Sequence, residues 1–346
     1  MPCGNLPYVS ARARLPAGKL EGRRDEGSLF HRDDGKRADL TPNARIERLP
    51  MTAIAMLDKR LAAKPRSPIS IAFHRLRASK LALFGLVVVV ILAICAIFAK
   101  QIAPFGQNEI DLFNMNARPN STHLLGTDAL GRDVFSRLIY GGRLSLWIGV
   151  SAALVATIVG ILVGAFSGYY GGLIDSVLMR FVDLMLAFPS IFLLLIIAAM
   201  LDGITVTNII FFLGLFGWMW LARVIRGEFL SLKSREFVEA ARSIGVPDAR
   251  IILRHMLPNV VGPIIVTFTL DIALFMLAEA SLSFLGFGVQ PGTPTWGNML
   301  NESRTQYLTK PLLAIAPGLT LTLAVLAINF VGDGLRDALD PKAART

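Results

Sequence analysis

The sequence predicts an all-α, polytopic membrane protein with about six transmembrane helices. Three observations predict it. Hydrophobic residues make up 53% of the 346 residues and charged residues only 17%, whereas a soluble domain carries about 25% charged residues. The apolar residues gather into long runs, and a run of about 18 or more reads as a membrane span. The Lys and Arg residues fall between the runs, as the topology rule for membrane loops describes. That interleaving decides how the formal net charge of +10 is read. It is loop charge, and the one-sided basic stripe of a nucleic-acid binder is missing.

Residues 1–50 stand apart, with ten Lys/Arg against seven Asp/Glu and much Gly and Pro. They show no apolar period, cannot bury a core and read as disorder. No apolar stretch follows their basic residues, so they are not read as a signal peptide. Translation starting at Met51 is the alternative; residues 51–80, with seven Lys/Arg, then form an ordinary basic cytoplasmic tail. The domain reading is a disordered basic tail at 1–70, the first span with an outer loop at 71–143, a transmembrane domain at 144–335 and a C-terminal tail at 336–346.

The first span is 81–99. Cys95 near its end follows Ile94, and a lipid-attachment site would need a small residue there. A polar stretch of about 40 residues follows. Within it Val134, Phe135, Leu138 and Ile139 have helical spacing, which suggests an interfacial helix whose arginines meet lipid headgroups. The second span is near 144–166. The third, 175–201, carries Asp175, Arg180 and Asp183 in its first half. The fourth is near 204–221, the fifth near 260–282 and the sixth near 312–331.

An even number of spans puts both termini on one side. With the N-terminus inside, the cytoplasmic pieces are the basic tail, a loop at 223–258 with seven Lys/Arg and a C-terminal tail with three. The outer pieces, 100–143 and 283–311, carry five and two. The count favours this orientation.

Cys3 and Cys95 form no close pair, and His31, His74, His123 and His255 are scattered. No metal or disulfide framework is expected from such spacing. A membrane-embedded enzyme would need a nucleophile, paired carboxylates or a metal set at membrane depth, and the sequence shows none.

The loop at 223–258 carries more structure than a linker. Phe237, Ala240, Ala241 and Ile244 fall at i, i+3, i+4 and i+7, one face of a helix. Gly245 sits where a helix end wants a residue free to turn left-handed. Pro247 is placed to open a second helix, and Pro258 marks the entry to the fifth span. Ala240 and Ala241 are small enough for close approach, while Glu239 and Arg242 lie on the solvent side. Periodicity alone leaves two readings open, an amphipathic connector or a docking element.

The spacing of the loop adds a resemblance. Glu239, Ala240, Ala241, then Gly245, then position 255, Leu257 and Pro258 resemble the signature of permease subunits in ATP-binding-cassette importers. His255 stands where the general pattern has an aliphatic residue, and His before x-Leu-Pro-Asn is similar to the peptide-importer branch. A second stretch, His123 through Gly126, Thr127, Asp128, Gly131, Arg132, Asp133, Ser136 and Arg137 to Gly142, Arg143 and Ser145, resembles the C-type subunit of dipeptide and oligopeptide permeases. A third is Asn329 through Gly332, Asp333 and Gly334 to Arg336 and Asp337. The resemblance covers roughly 70–342 and leaves residues 1–50 without a counterpart.

That resemblance implies a type I importer permease fold in the bacterial inner membrane, with cytoplasmic termini and no chemistry on this chain. It implies a sister permease, an extracytoplasmic substrate-binding protein and two ATPase subunits that hold ATP and Mg. The helix near Glu239 would lie in a groove of the ATPase. The chain has no phosphate-binding Gly-x-x-x-x-Gly-Lys-Ser/Thr loop, and the Gly-rich 285–292 matches no nucleotide fingerprint; it reads as an outer loop. Peptides are the expected cargo, with glutathione, nickel chelates and sugars carried by related permeases.

Ionisable groups inside spans are costly and are functional candidates by default. Asp271 lies mid-way along the fifth span, with Glu279 two turns later. Asp271 is a candidate for the substrate pathway; it could equally hold a neighbouring helix or the sister subunit. Arg180 and Asp183, three apart, are expected to pair with each other as a structural feature.

Overall fold

A computed structural model of the chain describes residues 79–201, 204–290 and 292–339. The expectations for residues 1–70 and for a start at Met51 lie outside the described residues. Those that are described belong to one compact unit, Arg66–Thr346. They are helical, with one isolated antiparallel bridge between Thr127 and Asp133 and no strand.

The first span, α1, is Lys80–Ile97, with the Ser79 hydroxyl accepting from the Ala82 amide at its start. A single turn, α2, is Ala99–Ile102. The central helix, α3, is Val134–Tyr170, 37 residues. At about 1.5 Å per residue it is about 55 Å long, well beyond the ~30 Å of a bilayer core. The separate interfacial helix expected around Val134 is therefore the first turns of α3. Asp133 caps it, its carboxylate accepting from the Ser136 amide at 2.7 Å. Gly141 and Gly142 do not break it, because Thr295 and Trp296 pack on them. A Cβ at Gly142 would lie 2.7 Å from the Trp296 ring.

The third span is broken. α4, Gly172–Leu186, and α5, Ser190–Met200, meet at 76°. Pro189 causes the break: it keeps the residue before it out of helical conformation and cannot donate to the ladder. α6, Val206–Gly217, and α7, Met219–Lys233, bend by 41°. The helix runs three turns past the expected end at 221, so the first part of the 223–258 loop is helix.

α8, Glu236–Ser243, and α9, Asp248–Arg250, form the loop proper. α10 is Val261–Phe284 and α12 is Leu312–Leu339. Between them lies α11, Trp296–Glu302, which sequence reading left inside an outer loop. Seven residues are too few to show a period. The domain boundaries expected at 143/144 and 335/336 fall inside α3 and α12.

Among the described residues four helices are long and apolar enough to cross a membrane, and the count rises to six if each bent pair is one span. α3 is the axis on which the others pack. Ala152, Ala153 and Ala156 are fully buried on it. Gly160, Gly164 and Gly168 form a small-xxx-small stripe against α7, where a Cβ at Gly164 would lie 2.5 Å from the Ala222 carbonyl. Arg223 and Arg226 of α7 reach α4. The Arg226 guanidinium donates to both oxygens of Asp175, at 2.5 and 2.6 Å. Arg223 pairs with Asp183 at 2.5 Å. The expected pair of Arg180 with Asp183 is thus replaced by a contact between helices, because α7 brings a guanidinium straight to that carboxylate.

Candidate functional site

The loop after α7 is held by its own backbone chemistry. α8 ends in a Schellman motif. The Val246 amide donates to the Ala241 carbonyl at 3.1 Å and the Gly245 amide to the Arg242 carbonyl at 2.9 Å. Gly245 has φ +78°, the left-handed region that glycine enters without a Cβ penalty. Pro247 then caps α9. Pro258 lacks an amide hydrogen and crowds the carbonyl four residues back. The chain turns wide as a π-helix over Ile251–Met256 and tight over Leu257–Asn259. His255 is half-buried on the wide turn, and its carbonyl accepts from the Asn259 amide group at 2.6 Å.

The expected apolar face of α8 splits in two. Ala241 turns inward beside Val238, and both join Ile225, Phe229, Ile251 and Met256 in a buried cluster. Burying each of the larger side chains contributes about 2 kcal/mol. Phe237, Ala240 and Ile244 turn outward, with Ile244 80% exposed. Glu239 is exposed as expected. Arg242 is exposed as expected too, and its guanidinium lies over the Tyr169 ring, 4.9 Å from the centroid. The Tyr169 hydroxyl donates to Asp248 at 2.5 Å.

At the other end of α3, the second sequence stretch folds into a charge cluster. His123 and Asp133 are buried and hydrogen-bonded at 3.0 Å, with Phe105 stacked on the His123 ring. Arg132 and Arg137 are buried, and both pair with Asp128 and Glu302 at 2.7 to 2.9 Å. These arginines were expected to meet lipid headgroups. They are instead neutralised inside the protein, because a buried guanidinium without an acid would cost several kcal/mol. Nearby Asp111 caps the turn Leu112–Asn114. The Asn114 side chain donating to it lowers its pKa from the usual carboxylate value, with the Phe113 and Asn114 amides acting in the same direction against desolvation.

Comparison with known proteins decides what these features belong to. The family model of a binding-protein-dependent transport system inner membrane component matches residues 160–345. The model of the N-terminal TM domain of oligopeptide transport permease C matches 67–119. The chain is 44% identical over 292 residues to glutathione transport system permease proteins of Shigella boydii serotype 4, Shigella sonnei and Escherichia coli O157:H7. The match covers 83% of this chain and 96% of each relative.

The chain belongs to this family of ABC importer permeases.

As a permease it is a multi-pass inner-membrane transport component, not an enzyme, and it works with other transporter components. Its in-span carboxylates have separate surroundings. Asp271 is half-buried on α10, and its Oδ2 is closed off without a hydrogen-bond partner. A cavity of about 1140 Å³ between α1, α3, α10 and α12 is lined from α10 by Thr269 and Ile272, not by Asp271. Glu279 is fully buried and accepts from Ser283 at 2.7 Å and Ser145 at 3.5 Å, tying α10 to α3. Ser145 in turn accepts from the Trp296 amide at 3.2 Å, which fixes α11.

Sequence reasoning missed Tyr169, Asp248 and Glu302 in the permease. Only Tyr169 had a local signal, an aromatic residue at the end of a span. Glu302 is 165 residues from Arg137, and no local pattern reports that pairing.

Proposed function

We propose that this permease and a sister permease enclose the pathway of an importer for short peptides. Two separate ATPase subunits, which hold ATP and Mg, drive it through α8. A substrate-binding protein hands over the cargo on the outer side, and both termini of the permease are cytoplasmic. The cargo class is di- and oligopeptides, which includes the tripeptide glutathione named for the relatives. The match to an oligopeptide permease model over 67–119 supports the same class. On this reading Glu239, Ala240, Ala241, Gly245, His255, Leu257 and Pro258 shape the ATPase contact.

One observation carries the ATPase contact. α8 seals Val238 and Ala241 inward and still presents Phe237, Ala240 and Ile244 outward. An amphipathic helix with its inner face already buried has a second apolar face only for a partner, here a groove that takes i, i+3 and i+7 anchors. Ile244 is the residue to test. It is exposed, so Ile244→Asp leaves the buried cluster alone, whereas Ala241→Asp would put a charge inside it. Ile244→Asp is expected to lower ATPase co-purification on the order of tenfold and to abolish peptide uptake, with membrane insertion unchanged. Normal co-purification and uptake in that variant would remove the assignment.

A further inference from the structure

We infer that Tyr169 is the positioning residue that passes displacement of the loop into α3, an inference that rests on the ATPase contact proposed for α8. Tyr169 is the last buried side chain of α3 and only 2% exposed. It holds the loop at two points on either side of the Gly245 turn. Arg242, three residues before that glycine, sits over its ring at 4.9 Å. Asp248, three residues after it, accepts its hydroxyl proton at 2.5 Å. One side chain therefore grips both arms of the loop.

The grip is stiff on the α3 side. Gly168 brings α3 against α7 so closely that a Cβ there would lie 2.6 Å from the Phe229 Cβ. Tyr169 thus cannot follow the loop unless α3 moves with it. Two other routes leave the loop: one through α7, on whose Ile225 and Phe229 the inner face of α8 packs, and one through the π-helical and 3-10 turns before α10, irregular geometry that an α-helix lacks. A push on α8 reaches α3 directly through Tyr169, without passing through α7 or α10. Hydrogen bonds to a charged group are among the stronger ones, so the hydroxyl contact is the part of the grip that substitution can isolate.

The test uses the complete transporter in liposomes. Val150, exposed on α3, becomes the reporter as Val150→Cys in a chain without its native cysteines. Maleimide labelling is timed without nucleotide and with ATP and vanadate. The parent is expected to show a nucleotide-dependent change in rate. Tyr169→Phe keeps the ring under Arg242 and is expected to shrink that change on the order of tenfold, with ATPase binding and hydrolysis retained. Asp248→Ala, which removes the acceptor, is expected to do the same, and the double variant to lose no more than either single one. A change of parental size in Tyr169→Phe, additive losses, or loss of ATPase binding in that variant would each overturn the inference while the ATPase contact stands. Failure of the parent to hold the ATPase would instead sink the reading of α8, and this inference with it.

Discussion

Arg137 is a guanidinium 1% exposed on the first turn of a membrane helix. It is tolerated there because Asp128 and Glu302 face it and Arg132 shares both acids. The cluster joins the outer loop to α11 and sets where α3 begins. Asp128→Ala leaves two buried guanidinium groups to one partly exposed acid. It is expected to lower stability by about 3 kcal/mol, read as a fall in the unfolding midpoint in detergent, with Asp128→Asn costing less. A change under about 1 kcal/mol would place the pairs in the range of exposed salt bridges. At this scale the sequence displayed the residues but not their partners. The 123–145 stretch was recognisable as a motif, and its arginines looked like headgroup ligands because Glu302 is remote in the chain. Gly245 was the opposite case. Its left-handed turn was legible because a glycine after an amphipathic run has few other roles.

The glycine stripe of α3 is an element-scale feature. Gly160, Gly164 and Gly168 let α7 approach until backbone meets backbone, and lipid cannot substitute for that packing. Gly164→Val would drive a side chain into the Ala222 carbonyl and the Ile225 side chain. It is expected to cost about 1–3 kcal/mol as overpacking, measured by thermal unfolding in detergent. Gly227→Ala on α7 is the control, since nothing lies within 4 Å of its Cβ. It is expected to be neutral or to stabilise by about 0.5–1 kcal/mol from helix propensity. Equal losses in both variants would reject close packing as the cause. Helix existence was readable from apolar runs, because each run sums many residues. Helix ends and bends were not, although Pro189 announced one of them. The extension of α7 to Lys233 is polar on its solvent side, and a hydropathy reading stops where the apolar run stops.

At the scale of the whole molecule, the proposed topology, with each bent pair counted as one crossing and both termini inside, sets which parts face which compartment. In a chain without Cys3 and Cys95, Ile244→Cys is expected to react with a membrane-impermeant maleimide only in inverted vesicles. Phe113→Cys, on the outer loop and fully exposed, is expected to react only from outside. Labelling in the reverse pattern would invert the topology. The long apolar helices were legible because charge-free runs sum over many residues, and four to six crossings agree with about six expected. The packing of α11 between α3, α10 and α12 was not, since it depends on Trp296 reaching the Leu138 carbonyl across the fold.

α3 carries the Arg137 cluster at one end and Tyr169 at the other, with no break between them. Thermodynamic linkage gives that continuity a direction-free meaning. Coupling between two sites is reciprocal. If nucleotide closure at α8 shifts the Arg137 end of α3, then a disturbance at that end must shift nucleotide closure by the same coupling free energy. On the proposed topology, a single uninterrupted helix would then let its outer end bear on how readily ATP is engaged inside.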